Sequence, residues 1–238
     1  MTDYITRYDD PTPSRGLSEG VWMDCAQMPI IQSPSSGKYF DDDFMDFIAD
    51  KYVITANSGT FAAGFGEGGI AVADTVAGTA GLGPNVQAAS AVFKPKPESN
   101  VHQEWLLTPT VLTGNLSLFA GLSEVSTAVM AEGVLSSQNA IGFNVVAGVS
   151  LSFVSIVGGV ATTLTGLGDI VVDQYTRLGF RVATAGRIDA YVNGVLVGSI
   201  VESSEIPQVE MVPTLSLQAA GTIVTADVDY HGTFQDDD

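Results

Sequence analysis

The residues of this chain that could attack a bond, move a proton or hold a metal are few. Two histidines, His102 and His231, stand far apart, and no H-x-H or H-E-x-x-H pairing brings a second ligand near either one. Cys25 is the only cysteine, so neither a disulfide within the chain nor a thiolate zinc site can form, and beside Trp22 and Met23 it reads as a passive thiol. Hydrolysis of a glycosidic bond needs two carboxyl groups flanking it, one with a raised pKa. A strand puts alternate residues on one face, so an E-x-D-x-E run would aim three acids at one sugar. Glu202-Ser-Ser-Glu205 has the wrong spacing for this. Asp227-Val-Asp229 has the right alternation but no third acid, and it reads as a solvated pair.

Other motifs fail on context. Gly64-Phe-Gly-Glu-Gly-Gly69 matches G-x-G-x-x-G, but no helical stripe follows it and no acidic residue stands about 20 positions on. Ser35-Ser36-Gly37-Lys38 ends like a phosphate loop, yet Tyr39 occupies the place of the magnesium-binding hydroxyl. Asp41-Asp42-Asp43 with Asp46 collects carboxylates without the glycine or distal glutamate of a calcium loop. No G-x-S-x-G elbow is present. The expectation is a protein that is not an enzyme, with no catalytic residue, no cofactor and no metal site.

The elements that would carry any such residue are strands. From Tyr52 onward short apolar runs recur with Gly, Asn or Pro between them, at a spacing that predicts about a dozen strands in an antiparallel sandwich. Predicted runs include Gly69–Ala73, Ala88–Phe93, Leu116–Gly121, Ser150–Val157, Ile170–Val172 and Thr222–Tyr230. Ile141, Phe143, Val145, Ala147, Val149, Leu151 and Phe153 fall on every second position, which predicts strands rather than the membrane helix that the apolar stretch Ile141–Val160 superficially suggests. Around Asn193-Gly194, which suits a type I′ turn, Arg187–Val192 and Val195–Gly198 predict a hairpin with Val192 facing Val195. Asp41–Asp43 ahead of Phe44, Met45, Phe47 and Ile48 predicts a short helical turn near 41–48.

Residues 1–43 read as an extended arm, 44–234 as the sandwich domain and 235–238 as an acidic tail. Pro11, Pro13, Pro29 and Pro34 break the first segment, while Tyr4, Ile5, Tyr8, Val21 and Trp22 are too apolar for a solvated linker. Such an arm docks either on its own domain or on a neighbour. Tyr4, Arg7, Tyr8 and Trp22 are its candidate partner-binding residues.

Composition bounds the partners. The chain has 238 residues, 45% hydrophobic and 15% charged, which suits one large domain with ample core and argues against disorder. Nine basic against 27 acidic residues give a formal net charge of −18, so neither nucleic acid nor an anionic membrane surface is an expected partner. The first 20 residues hold Asp3, Asp9 and Asp10 and no apolar run, which predicts no secretory signal and synthesis in a cytoplasm.

One further pattern concerns Glu104-Trp105, Leu118-Phe-Ala-Gly-Leu-Ser-Glu124 and Ile141-Gly-Phe143, followed by Leu178-Gly-Phe-Arg-Val182, Tyr191-Val-Asn-Gly194 and Met211-Val-Pro-Thr214. Together these resemble a group of tailed-phage virion proteins with a concanavalin A-like (laminin-G-like) jelly-roll sandwich, over about residues 44–234. The resemblance implies two curved antiparallel sheets with Phe119, Phe143 and Phe180 buried between them. It also implies a capsid decoration or other head-associated role. The expected function is therefore that of a phage structural protein on the capsid surface of the virion, held by contacts with the major capsid protein and forming a homo-oligomer. The alternative is a glycan-binding module on a tail or fibre. A hydrolase is a third reading, opposed by the missing acid pair.

Overall fold

The computed structural model describes residues 19–22, 37–44, 47–64, 70–75, 83–90, 92–111, 116–183, 185–219 and 223–236. It is an all-β, two-sheet antiparallel sandwich, as the recurring short runs predict. Among the described residues, a helical turn, α1 (Glu19–Trp22), precedes the strands. These are β1 (Gly37–Asp42), β2 (Tyr52–Thr55), β3 (Gly59–Ala63), β4 (Ala71–Thr75), β5 (Asn85–Ala88) and β6 (Val101–Val111). Then come β7 (Leu116–Ser123), β8 (Met130–Ala131), β9 (Val134–Leu135), β10 (Ala140–Val145), β11 (Ser152–Val157) and β12 (Val160–Leu164). The last are β13 (Thr176–Ala183), β14 (Arg187–Val192), β15 (Val195–Ile200), β16 (Val212–Ala219) and β17 (Thr225–Asp236).

The larger sheet runs β15-β14-β13-β6-β17-β4-β3, with β1 pairing the second half of β17 beyond the end of β4. The smaller sheet runs β12-β11-β10-β7-β16-β5-β2, and β8 pairs β9 apart from both. Each sheet turns one set of alternate residues inward. From the larger sheet these include Trp105, Leu107, Leu178, Phe180 and Val228; from the smaller, Leu118, Leu122, Phe143, Phe153 and Leu215. Phe153 packs edge-on against Phe143 at 5.1 Å and meets Phe180 at 5.7 Å, so ring contacts tie the two sheets together.

The hairpin at Asn193-Gly194 forms as expected. Both residues have positive φ, 51° and 76°, and Val192 pairs with Val195. The Ile141–Phe153 alternation becomes β10 and β11, and no helix among the described residues is long and apolar enough to cross a membrane.

Several local expectations are corrected. Asp41 and Asp42 do not start a helix; they end β1, and Asp42 is drawn inward by the Tyr52 hydroxyl at 3.0 Å and the Lys51 ammonium at 3.4 Å. Ile170–Val172 is a loop: Ile170 is buried and donates its amide to the Val149 carbonyl, but Val171 is exposed. Phe143 and Phe180 lie between the sheets, whereas Phe119 lies outside the smaller one, under the segment that carries β8 and β9. Leu118, Ala120 and Leu122 take the inward positions of β7, so alternation sends Phe119 out, over a floor made by Gly121 and its partner Gly142. Gly64, the first glycine of the G-x-G-x-x-G match, closes the β3–β4 connection by donating to the Ile70 carbonyl; residues 65–69 lie outside the described residues. β17 continues through Gln235, which is buried and bonded through its side chain to the Lys94 backbone.

Candidate functional site: the covered face of the larger sheet

Antiparallel register builds rows of side chains across the outer face of the larger sheet. One row runs Tyr39, Phe234, His102, Arg181, Asp189, Ser199 through β1, β17, β6, β13, β14 and β15. The next carries Gly232, Glu104, Gly179 and Tyr191. Glu104 therefore stands between two glycines; the Tyr230 phenol covers Gly232, and the missing side chain at Gly179 leaves a trough beside Glu104.

Charge in this trough is paired. Glu104 is fully buried, and the Arg177 guanidinium donates to its carboxylate at 2.8 Å. Asp189, also buried, accepts from Arg181 Nε at 3.2 Å, from Arg187 Nη2 at 2.9 Å and from the Ser199 hydroxyl at 2.5 Å. Burying a carboxylate without such partners would cost several kcal/mol.

α1 roofs the trough. A methyl group at Gly179 would come within 2.5 Å of a Val21 methyl, so Val21 sits where any larger residue would project. His102 Nδ1 donates to the Val21 carbonyl at 2.8 Å, and the Trp22 indole stacks on the His102 ring at 5.6 Å with planes 17° apart. Val21, Trp22, Tyr191 and Phe234 form one buried cluster with Tyr39 against it. Of the residues expected to meet a partner, Trp22 is thus packed against its own sandwich, while Tyr4, Arg7 and Tyr8 lie outside the described residues.

The other acids are placed differently. Asp227 faces outward near Asp74 and Asp173; burial, reinforced by those two charges, raises its pKa. Asp229 is the extra residue of a β-bulge, because Val228 pairs with Leu107 and Tyr230 with Leu106. The bulge breaks the alternation that the sequence suggests for Asp227 and Asp229. Among the described residues no group of three or more His, Cys, Asp or Glu is arranged to hold a metal ion. Asp42 spends its oxygens on Tyr52, Lys51 and the Phe44 amide, and Asp46 lies outside the described residues.

Sequence reasoning noted His102 only as an isolated histidine and missed the Glu104–Arg177 pair and the Asp189 cluster. A signal was present: Arg177, Gly179 and Arg181 alternate with apolar residues, so two cations share one outward face. Their acidic partners come from distant strands and were not legible.

The outer face of the smaller sheet is covered as well. Gln87 holds the segment after β7 by donating to the Glu124 carbonyl at 2.9 Å and accepting from the Ser126 amide at 2.9 Å. Gln218 does the same for the β8–β9 turn, donating to the Met130 carbonyl and accepting from the Gly133 amide.

No protein-family model matches the chain, and no curated protein matches it by sequence. Solved structures do match. A Bacillus licheniformis β-glucanase aligns with a TM-score of 0.57 and 13% identity, over 83% of this chain and 98% of that one. An endo-1,3-β-glucanase from Streptomyces sioyaensis aligns with a TM-score of 0.58 and 11% identity, over 85% and 97%. The carbohydrate recognition domain of Emp47p aligns with a TM-score of 0.56 and 9% identity, over 85% and 98%. At such identities the likeness concerns the fold. It bears out the concanavalin A-like part of the resemblance and does not extend to phage virion proteins. It also corrects the expectation that the chain is not an enzyme: the missing acid triplet had excluded catalysis, yet β-glucanases are built on this fold, so that exclusion is withdrawn. The chain has the jelly-roll sandwich shared by β-glucanases and lectin-like carbohydrate-recognition domains.

Proposed function

We propose that the protein is a structural component of a tailed-phage virion, displayed on the head beside the major capsid protein, with the segment before the sandwich as its attachment arm. The sequence resemblance supports this reading, and one structural observation carries it further. α1 meets the sandwich through side chains and one backbone carbonyl, outside the strand ladders, as an attachable segment would. Net charge of −18 favours dispersed particles and weak adhesion to nucleic acid. The arm residues Tyr4, Arg7 and Tyr8 would supply aromatic and cationic contacts for a capsid surface, while Trp22 holds the arm to its own sandwich, and a homo-oligomer suits a symmetric shell.

Quantitative mass spectrometry of purified virions, scaled to the major capsid protein, tests this. Hundreds of copies per particle are expected for a protein decorating the shell. Absence from the particle would overturn the proposal.

A second reading, a glycan-facing module on a tail or fibre, draws on the fold neighbours that recognise or act on carbohydrate. A few to a few dozen copies per virion, with binding on a glycan array, would favour it. Release of reducing sugar from β-glucan by the wild type, lost in an Asp227→Asn variant whose circular dichroism is unchanged, would point instead to hydrolysis.

A further inference from the structure

A turn of four residues is far below the length at which an isolated helix persists in water, so α1 owes its shape to the trough. What the trough recognises is local: methyls over Gly179, a carbonyl at His102 and an indole on the His102 ring. None of these contacts depends on the chain connection. Fourteen residues separate Trp22 from Gly37, enough to span up to about 50 Å when extended. The turn is therefore a ligand joined to its own site through the chain, and any separate peptide must compete with it.

We propose that the trough on the outer face of the larger sheet is a peptide-binding surface, occupied here by the chain's own Val21-Trp22 turn, and that it takes a separate aliphatic–aromatic peptide when that turn leaves. The geometry selects this ligand. Gly179 leaves room for one branched aliphatic side chain, and His102 offers a flat ring with a donor at its edge. Glu104 and Asp189 are already engaged by guanidinium groups, so the trough adds no net demand for charge. The surface and the arm are thereby coupled: a partner that seizes the arm opens the trough, and a peptide that fills the trough frees the arm. The inference holds wherever the protein is mounted, so it can fail while the virion assignment stands.

The test uses the full chain and a fluorescein-labelled peptide with the sequence of residues 17–24, read by anisotropy. Trp22→Ala removes the stacking group of the resident turn and leaves the sheet intact. Val21→Asp, which also alters only the turn, is a second opened chain in case the first misfolds. Competition from the resident turn is removed in both, so the peptide should bind at least about tenfold more tightly than to the wild type. Adding Gly179→Val to either variant fills the trough and should abolish binding while circular dichroism stays unchanged. Equal binding to wild type and opened chains would overturn the proposal. So would binding that survives Gly179→Val, or no peptide binding by a folded opened chain. Binding of a β-glucan oligosaccharide in place of the peptide would overturn it in favour of a sugar site.

Discussion

Arg177→Ala is the sharpest probe of the trough's electrostatics. In the wild type the Glu104 carboxylate is fully buried between Gly232 and Gly179, and the Arg177 guanidinium reaches it at 2.8 Å with its own side chain 11% exposed. Truncation to alanine strips the carboxylate of that partner but does not return it to water. Breaking a buried pair from one side costs about 3–5 kcal/mol, and the slight exposure of Arg177 favours the low end, about 3 kcal/mol. Unfolding entropy of roughly 2 cal/mol/K per residue makes about 0.5 kcal/mol/K for a chain of this length, so the melting temperature should fall by about 6 °C. Differential scanning calorimetry at pH 7 reads this directly. Glu104→Gln/Arg177→Ala replaces the buried charge with a neutral amide and should recover more than half of the loss. A shift below 1 °C for Arg177→Ala would refute the reasoning, as would a double variant no more stable than the single one.

Three further outcomes follow from local chemistry. Gly194→Val forces a β-branched residue to a φ near 76° and should cost about 1–2 kcal/mol or more; an unchanged melting temperature would count against the type I′ turn. Burial holds the pKa of His231 down at about 3, so its folded value lies below its unfolded one. The stability it contributes is therefore complete above pH 6.5 and is lost as pH falls toward 3, and the urea midpoint of wild type should drop more steeply over that range than that of His231→Gln. Parallel curves would remove His231 from the explanation. Burial, aided by the Asp42 charge and hydrogen bond, raises the pKa of Tyr52 above its ordinary value, so the phenol resists ionisation in the fold. Its contribution is present below about pH 10 and is lost as pH rises further, and Tyr52→Phe should flatten that alkaline decline. An unaltered slope would show that another group is responsible.

How much was legible varies with the range of the forces involved. The Asn193-Gly194 hairpin and the β10–β11 alternation depend on neighbours in sequence, and both were readable. β3 and β12 were not: Gly59–Ala63 and Val160–Leu164 are short edge strands with small or polar residues, and pairing with β4 and β11 defines them. β1 was hidden for the same reason, since Gly37–Asp42 looks like loop and acidic cap until β17 lies beside it. The weak alternation of the last strand has a cause visible only in three dimensions, the bulge at Asp229 that reverses which residues face inward. The resemblance placed Phe119 between the sheets; its neighbours on β7 claim the inward positions, and the segment that carries β8 and β9 gives it an outer one.

Composition, period-two patterning and turn residues determined the class of this protein: an acidic, all-β sandwich. These are short-range properties, and any compact form of the chain must satisfy them. Tertiary structure alone decided where the chemistry gathers. Glu104 meets Arg177 across 73 positions, His102 meets Val21 across 81, and both sheets are roofed by segments whose apolar content pointed to burial but not to a location. Such meetings depend on strand register, and register is a property of the paired sheet rather than of any one stretch of sequence.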